Sequence, residues 1–439
     1  MICRSNIAPT AESGSSSYGE TTQIRLATKW RLGFAVALIA LEFSGLTQFA
    51  TYGSRDLFHT SSAKVHISSY SFQALAYLIA AVVSVLDPRL VKKLFAQPIF
   101  RWTVVTMAVF AWGMFIRAFN PPAAIQGYEF VRVFLIRLNA LGFMLTCVIM
   151  FEGEMVLRAA KRAVVLSTLF TVVVNICELT HFWIFSTAGL YGNRAVGLYD
   201  NPNAAGVALV FGCVIGFSAV PRRWRELFIL ACSAGVAATF SREAMVALLS
   251  VILSACWGRA VSVPRMLIMV AAAVVVVVIL NFGTALQRQG VLNPELQARL
   301  ALGLSDRSAR HRARIVEEAW QQFERAPLIG NGFGTTAFWA GELESHNLYL
   351  SFMADYGVLG VLLVPALVLC LAHGSWDYYG FAFAVLVWCM FNSDFFIDPF
   401  AQISLAIVAN QRACFRSLSI GQYVTPVAQA FAGADRAIS

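Results

Sequence analysis

Long apolar segments recur along almost the whole chain, and they constrain its fold more than any other feature. Most approach the length of a helix that crosses the hydrocarbon core of a bilayer, which takes roughly 20 residues. Hydrophobic residues make up 58% of the 439 residues and charged residues only 13%, whereas a soluble domain has about 25% charged residues. The pattern predicts an all-α, polytopic membrane protein and argues against a soluble enzyme or a nucleic-acid-binding domain.

Twelve of these segments are candidate transmembrane helices within a domain of residues 29–415, flanked by two polar tails predicted to be cytoplasmic, 1–28 (disordered) and 416–439. The seventh and eighth candidates nearly touch at Ser241-Arg242, which predicts a tight hairpin. The candidates cover about residues 30–49, 68–86, 99–119, 130–151, 163–186, 203–220, 226–240, 243–257, 265–282, 346–371, 378–392 and 399–415.

The distribution of basic residues predicts the orientation. Connections on one side carry eleven Lys and Arg residues, and those on the other side carry four. Because cytoplasmic connections are enriched in Lys and Arg, both ends of the chain are predicted to be cytoplasmic. The long loop at 283–345, between the ninth and tenth candidates, is then periplasmic. The net charge of +9 follows from the same rule and does not indicate nucleic acid.

The long loop is predicted to contain amphipathic helices. Asn293-Pro294 is a favourable helix start, with Asn as the N-cap and Pro at the first helical position. A second helix is predicted from about Ser308 to Arg325. Its apolar face is predicted to consist of Ile315, Ala319, Trp320 and Phe323. Two interpretations are open: the helix packs on the membrane surface or the bundle, or it forms a lid over a membrane-side cleft.

Three predicted periplasmic positions carry residues suited to chemistry on a lipid diphosphate. Arg194 lies in the connection that ends with Asn201-Pro202-Asn203, Arg242 lies in the hairpin, and His346-Asn347 opens the tenth span. Arginine forks bind phosphate oxygens in a bidentate manner, and a histidine can accept a proton from an attacking hydroxyl. The predicted site therefore has Arg194 and Arg242 on the diphosphate and His346 as the base.

Each of these residues also has a structural interpretation. Arg194 and Arg242 could be interfacial anchors. The Asn201-Pro202-Asn203 segment could be a turn with an N-cap, and His346 could cap a helix or form a core hydrogen bond. The glycine-rich segment 330–334 resembles a phosphate loop, but no strand precedes it, so a turn with close backbone approach is predicted.

Other charged residues give weaker indications. Arg132 and Arg137 in the fourth span could face the diphosphate or pair within the bundle, and Arg310 and Arg314 could assist from the long loop. Together with Glu42 and Glu178, the two span arginines are predicted to be buried charges that could mark a substrate path. Asp394 and Asp398 are predicted to be solvated.

The histidines give no metal-binding pattern. None of the six forms an HxxxH or HxH pair, which are common spacings for zinc ligands. The predicted chemistry therefore needs neither a metal nor a cofactor.

At the same positions the sequence resembles the O-antigen ligase and polymerase family of bacterial envelope proteins, over roughly residues 160–400. The segments that carry the resemblance are Arg194-x-x-Gly197 through Asn203, Ser241-Arg242, Pro327 to Gly334, His346-Asn347-x-x-Leu350 and Ala354 to Gly360. The sequence departs from the family at Glu243-Ala244, where relatives often have small residues, so Glu243 could pair with Arg242.

The resemblance implies a glycosyltransferase of the bacterial inner membrane, with an active site that faces the periplasm. Together with the lack of a metal-binding pattern, it predicts a metal-independent enzyme. Its donor would be a glycan on undecaprenyl diphosphate. The acceptor would be the lipid A core in a ligase or another lipid-linked repeat unit in an O-antigen or exopolysaccharide polymerase, and protein glycosylation ranks third.

A polysaccharide transporter without catalysis is the competing class. It would place functional charges at mid-membrane and show matched broken helices. The candidate residues of this chain instead gather at one predicted surface, which favours the enzyme.

Overall fold

The structure is a computed structural model that describes residues 17–50, 69–119, 127–180, 194–267, 307–336, 346–373, 376–393 and 395–414. Throughout those ranges the regular elements are helices and no strand occurs, which confirms the predicted all-α class. The predictions for a helix at Asn293, for the second cytoplasmic tail and for residues 1–16 of the first tail lie outside the described residues.

Within the described residues, most helices follow the apolar segments, because continuous apolar residues favour helices whose backbone groups are all paired internally. The ninth candidate, 265–282, lies mostly outside the described residues. Helix α1 begins earlier than predicted, inside the segment assigned to the first tail. The helices are α1 Ser17–Phe43, α2 Ser69–Leu86, α3 Arg89–Ala96, α4 Pro98–Phe119, α5 Gly127–Met150, α6 Glu154–Leu179, α7 Pro202–Phe217, α8 Arg225–Ala238, α9 Arg242–Trp257, α10 Arg307–Arg325, α11 Leu348–Tyr356, α12 Val358–Leu371, α13 Trp376–Trp388 and α14 399–414.

Several helices are candidates for crossing a membrane. By length and composition, α4, α6 and residues Val131–Met150 of α5 each suffice. Helices α2 and α3 form a further candidate that bends by 109°. The segment of α3 was predicted to be a connection. These apolar helices support an integral membrane protein, while the count of twelve spans and the side on which the long loop lies stay predictions.

Helix α7 lies at the centre of the part of the bundle that concerns function. Every residue from Pro202 to Phe217 except Asn203 is buried, and α6, α8, α9 and α13 all pack against it. The helix is rich in Ala and Gly, which lets neighbouring backbones approach closely. The position of its first turn is therefore fixed by four other helices.

The tenth predicted span is two helices. Helix α11 ends at Tyr356 and α12 begins at Val358, with Gly357 between them at φ 65°. A Cβ at this position would lie 2.6 Å from the carbonyl carbon of Leu328, so a glycine is required. The prediction of one continuous span over 346–371 is therefore wrong.

The amphipathic helix of the long loop exists, as α10, and it packs against α11. Among its described side chains, from 313 onward, Ile315, Ala319 and Gln322 are buried. Trp320 was predicted on that face but is 46% exposed. Because α10 packs against a helix of the bundle, the packing interpretation describes the structure better than a detached lid.

Candidate functional site

The connection before α7 ends in a capped helix start. The side-chain oxygen of Asn201 accepts a hydrogen bond from the backbone N–H of Ala204 at 2.8 Å, and Pro202 occupies the first helical position. The amide of Asn201 donates to a carboxylate oxygen of Asp200 at 2.9 Å. The capping interpretation of Asn201 is therefore confirmed.

Arg194 is fixed between two helices. Its Nε donates to the carbonyl oxygen of Thr239 at 3.0 Å, and its Nη2 donates to Oδ1 of Asn203 at 3.1 Å. The next residue, Ala195, donates its backbone N–H to the carbonyl oxygen of Ala238 at 3.0 Å. These bonds hold the guanidinium group between the end of α8 and the first turn of α7.

Glu178, in the last turn of α6, holds the same connection from the other side. Its Oε2 accepts hydrogen bonds from the backbone N–H groups of Val196, at 2.8 Å, and Gly197. The side chain is 3% exposed. The burial predicted for Glu178 is confirmed, and the carboxylate fixes the backbone that carries Arg194.

Arg242 is the first residue of α9, at the hairpin that follows α8. The hydroxyl of Ser241 caps α9 by accepting from the backbone N–H of Ala244 at 3.3 Å, and Phe240 turns the chain with φ 48°. Arg242 is exposed whereas Glu243 is buried. The tight hairpin predicted at Ser241-Arg242 is confirmed.

The starts of α7 and α9 lie against each other. A Cβ added to Gly206 would be 2.7 Å from Cβ of Ala244 and 3.3 Å from Cβ of Ser241. Arg194, Asn203 and the hairpin that carries Arg242 therefore belong to one region. Two helix N-termini meet there, and each carries a partial positive charge that favours anions.

His346 lies at the start of α11, against the end of α13. Asn347 is the residue that caps α11, because its Oδ1 accepts from Leu350 N at 3.1 Å, so the interpretation of His346 as the cap is wrong. The backbone N–H of Leu348 donates to the carbonyl oxygen of Cys389 at 2.9 Å. Since α13 packs along α9, the histidine is connected through packed helices to the element that Arg242 begins.

The backbone at His346 is strained, and a groove lies beside it. A φ of 24° is uncommon for a residue with a Cβ, and strain of this kind concentrates at functional sites. The groove has a volume of about 460 Å³ and is lined by Asn347, Tyr349, Leu350, Leu386, Val387 and Met390.

Arg137 has a structural environment. It lies 3.6 Å from a carboxylate oxygen of Asp355, donates to the hydroxyl of Tyr356 at 3.2 Å and lies 4.9 Å from the centroid of the Phe333 ring. The alternative of pairing within the bundle thus describes Arg137. Arg132 is exposed, so the prediction that it is a buried charge is wrong.

Arg310 and Arg314, which were predicted as possible helpers, both belong to α10. Arg314 is 64% exposed in its side chain and pairs with Glu318, one helical turn later, at 3.5 Å. Arg310 lies in α10, and its side chain is outside the described part of the chain. The accessory role of both arginines stays a prediction.

The glycine-rich segment is a turn, as predicted. The backbone N–H groups of Gly334 and Thr336 donate to the carboxylate of Asp355 at 2.9 and 3.3 Å. Asn331 and Gly332 donate to the backbone of Ala354 and Asp355. Because these donors bind α11, the segment does not resemble a phosphate loop in its contacts.

A group of carboxylates near the start of α7 was not recognised from the sequence. Burial, followed by the nearby charges of Asp200 and Glu42, raises the pKa of Asp398 from 3.8 to about 8. Burial also raises the pKa of Asp200. The side chain of Asp398 is half-buried, so the prediction that it is fully solvated is wrong. The one indication of this group in the sequence was that Asp200 directly precedes the helix cap Asn201.

Across the described residues, no group of three or more His, Cys, Asp or Glu side chains could hold a metal ion. The structure brings Arg194 and the hairpin of Arg242 into one region, and the prediction that His346 belongs to the same site stays a prediction. The arginines can bind an anion, and the histidine can accept a proton.

Comparison with known proteins supports the resemblance. The family model described as O-antigen ligase matches residues 227–364 of the chain, a range that includes Arg242, α10 and His346. No curated protein and no solved structure matches the chain. The match confirms the resemblance to the O-antigen ligase and polymerase family, and it supports a ligase or polymerase activity in general terms.

Proposed function

We propose that the chain is a ligase-type glycosyltransferase that moves a glycan from undecaprenyl diphosphate to a hydroxyl of the lipid A core at the periplasmic face of the bacterial inner membrane. The observation that carries the proposal is the fixed guanidinium of Arg194, held by Thr239 and Asn203 beside the hairpin that begins with Arg242. A pre-oriented arginine at two helix N-termini suits a diphosphate, because no reorganisation is needed when charge develops on the leaving group.

The proposed reaction is a single displacement without a metal. The acceptor oxygen forms a bond to the anomeric carbon, and the bond from that carbon to the diphosphate oxygen breaks. The electron pair leaves with undecaprenyl diphosphate, next to Arg194 and Arg242, and an imidazole nitrogen of His346 accepts the proton of the hydroxyl. The strained backbone of His346 and the groove beside it support this role.

The broken helix does not favour a transporter. In transporters, broken helices line the cavity that holds the substrate. Here the break at Gly357 is filled by the chain itself, because Val358 donates its N–H to the carbonyl oxygen of Pro327 at 2.9 Å. The buried pair of Arg137 and Asp355 likewise binds the loop rather than an open path.

Substitution of the candidate residues tests the proposal. Arg194→Ala and Arg242→Ala should each abolish transfer, and Lys at either position should restore little, because an ammonium group lacks the bidentate fork. His346→Ala and His346→Asn should lose about 10²–10⁴-fold in rate. Each variant is measured for glycan transfer in membranes at matched protein levels. The control is Arg265→Ala, since Arg265 is an exposed arginine that follows the end of α9 opposite to Arg242.

Two results would remove residues from the site. Full activity of Arg194→Ala would exclude diphosphate binding by that residue. Near-normal turnover of His346→Asn would exclude the general base, because Asn cannot accept a proton at neutral pH.

Deletion of the gene distinguishes ligase from polymerase. If the chain is a ligase, the lipid A core should lose all long chains while lipid-linked polymer remains. A core that carries one repeat unit would instead indicate a polymerase. In both cases the surface lipopolysaccharide is separated by size and compared with the complemented strain.

Reporter fusions test the orientation. Because the basic residues predict a periplasmic loop and cytoplasmic ends, alkaline phosphatase fused near Leu304 should be active and the same enzyme fused after Arg416 should be inactive. The reverse pattern would contradict the orientation and the periplasmic site together.

A further inference from the structure

A groove of about 700 Å³ opens between the first halves of α6 and α8. Its floor is the connection after α7, at Ala219 to Pro221. The walls are apolar, and several of their side chains are exposed: Leu166 is 69% exposed and Leu227 is 48% exposed. The walls consist of Val165, Leu166 and Leu169 of α6 and of Leu227, Phe228 and Ala231 of α8.

One end of the groove is basic and aromatic. Arg162 and Trp224 line this end, and both are exposed. The helical turn Arg222–Trp224 begins directly after the floor and adds two further exposed arginines. The guanidinium group of Arg223 lies 5.7 Å from the centroid of the Trp224 ring.

The basic end is held in place by contacts outside the groove. Nζ of Lys161 donates to the hydroxyl of Ser218 at 2.7 Å, which ties the start of α6 to the end of α7. Nε of Arg225 donates to the carbonyl oxygen of Val220 at 3.2 Å. Glu226 is the one acidic residue between Pro221 and Leu227, so positive charge dominates this end.

The groove is long enough for part of an acyl chain. From Arg162 to Leu169 the helix rises by about 10 Å at roughly 1.5 Å per residue, so an acyl chain placed along α6 would have its polar end beside the arginines. Tryptophan and arginine are typical of the membrane–water interface, and basic pockets between transmembrane helices bind anionic head groups. The groove therefore joins an apolar channel to an anion-binding end.

We propose that this groove binds one anionic phospholipid, with an acyl chain between α6 and α8 and the phosphate beside Arg162 and the Arg222–Trp224 turn. The groove is separate from the proposed donor site. Arg194 contacts Thr239, at the end of α8, whereas the groove follows the beginning of the same helix. The charge distribution predicts that this end of the bundle faces the cytoplasm, on the side that faces away from the donor site.

Native mass spectrometry of the purified full-length protein in detergent tests the proposal. Phosphatidylglycerol and phosphatidylcholine with identical acyl chains are titrated separately, and phosphatidylglycerol should bind at clearly lower concentration. The double variant Arg162→Ala/Arg222→Ala should lose roughly tenfold or more in affinity for phosphatidylglycerol. The control Arg265→Ala removes an exposed arginine outside the groove and should bind as the wild type does.

A second variant tests the apolar part. Leu166→Trp adds bulk to an exposed wall residue and should weaken phosphatidylglycerol binding while leaving every arginine in place. Thermal unfolding of each variant confirms that the protein is folded.

Several outcomes would overturn the proposal. The first is equal binding of the two lipids, and the second is an unchanged affinity for phosphatidylglycerol in the double variant. The third is displacement of the lipid by glycerol phosphate at a similar concentration, which would indicate an anion site without a lipid channel. If the mass spectrum instead shows a bound polypeptide whose binding prevents that of the lipid, the groove binds a protein partner.

Discussion

The buried pair of Arg137 and Asp355 offers the sharpest test of how the bundle is held together. Asp355 is 0% exposed and Arg137 is 8% exposed. The carboxylate also accepts the backbone N–H groups of Gly334 and Thr336. The perturbation is a double-mutant cycle of Arg137→Met, Asp355→Asn and the two changes combined.

The magnitudes follow from these contacts. Removing one partner of a buried ion pair costs about 3–5 kcal/mol, because the other charge stays buried without compensation. Asp355→Asn also turns an amide toward one of two backbone donors, which adds about 1–3 kcal/mol for a lost hydrogen bond. The combined variant leaves no unpaired charge, so it should be less destabilised than the sum of the single variants by about 1–3 kcal/mol.

The free energy of unfolding can be followed through the buried thiols of Cys147 and Cys389. A thiol-reactive dye should label them only when the protein unfolds, so labelling during a denaturant titration in mixed micelles reports the transition. Arg132→Met is the matched control, because Arg132 lies on the same helix, α5, but is exposed. It should change the free energy of unfolding by less than about 0.5 kcal/mol.

Additive single variants would refute the reasoning. A coupling free energy near zero means that the two charges do not stabilise each other, whatever their distance. If Arg132→Met lowers the free energy of unfolding as much as Arg137→Met does, the loss of a charge matters and its burial does not.

Two further predictions concern a glycine and a carboxyl group. Gly357→Ala should destabilise the protein by about 1–3 kcal/mol because of the positive φ at this position and the close contact with Leu328. Gly33→Ala is the control: Gly33 has open space around it, so the change should be neutral or stabilising by up to about 1 kcal/mol. Equal Tm values for the two variants would contradict the strain at Gly357. Asp398 is protonated in the folded state up to a pKa of about 8 but ionises near 3.8 when unfolded, so the stability of the wild type falls between those pH values. Asp398→Asn should therefore gain Tm relative to the wild type from pH 5 to pH 8, and a constant difference would show that this carboxyl is not buried in its neutral form.

The helices were predictable where continuous apolar residues meet a helix-capping signal. The candidate at 243–257 became Arg242–Trp257, with Ser241 as its cap, and the candidate at 203–220 begins at the cap Asn201. The break at Gly357 was not predictable, because it depends on contacts with Pro327 and Leu328, which are distant in sequence. Periodicity within one segment contains no information on such a contact.

The candidate site also combines features that the sequence predicts with features that it does not. Arg194, Arg242 and Asn203 could be proposed from residue type and predicted side. The acceptor of the Nε hydrogen bond of Arg194 could not, because it is a backbone carbonyl group, that of Thr239, and every residue has one. The raised pKa of Asp398 was missed for a related reason: the neighbouring charges of Asp200 and Glu42 come from distant parts of the chain.

The packing of the glycine-rich turn has a consequence for the order in which the protein is made. Phe333 donates its N–H to the carbonyl oxygen of Gly113 and accepts a hydrogen bond from Arg117, which precedes it by 216 residues. During synthesis, α4 and α5 therefore enter the membrane long before the turn that packs against them exists. Because 216 residues separate Arg117 from Phe333, the ribosome has completed most of the chain before the surface around Arg137 can meet the turn. The packing of this turn against α4 and α5 is therefore a late event in biosynthesis, because it requires Phe333 and its neighbours in the turn.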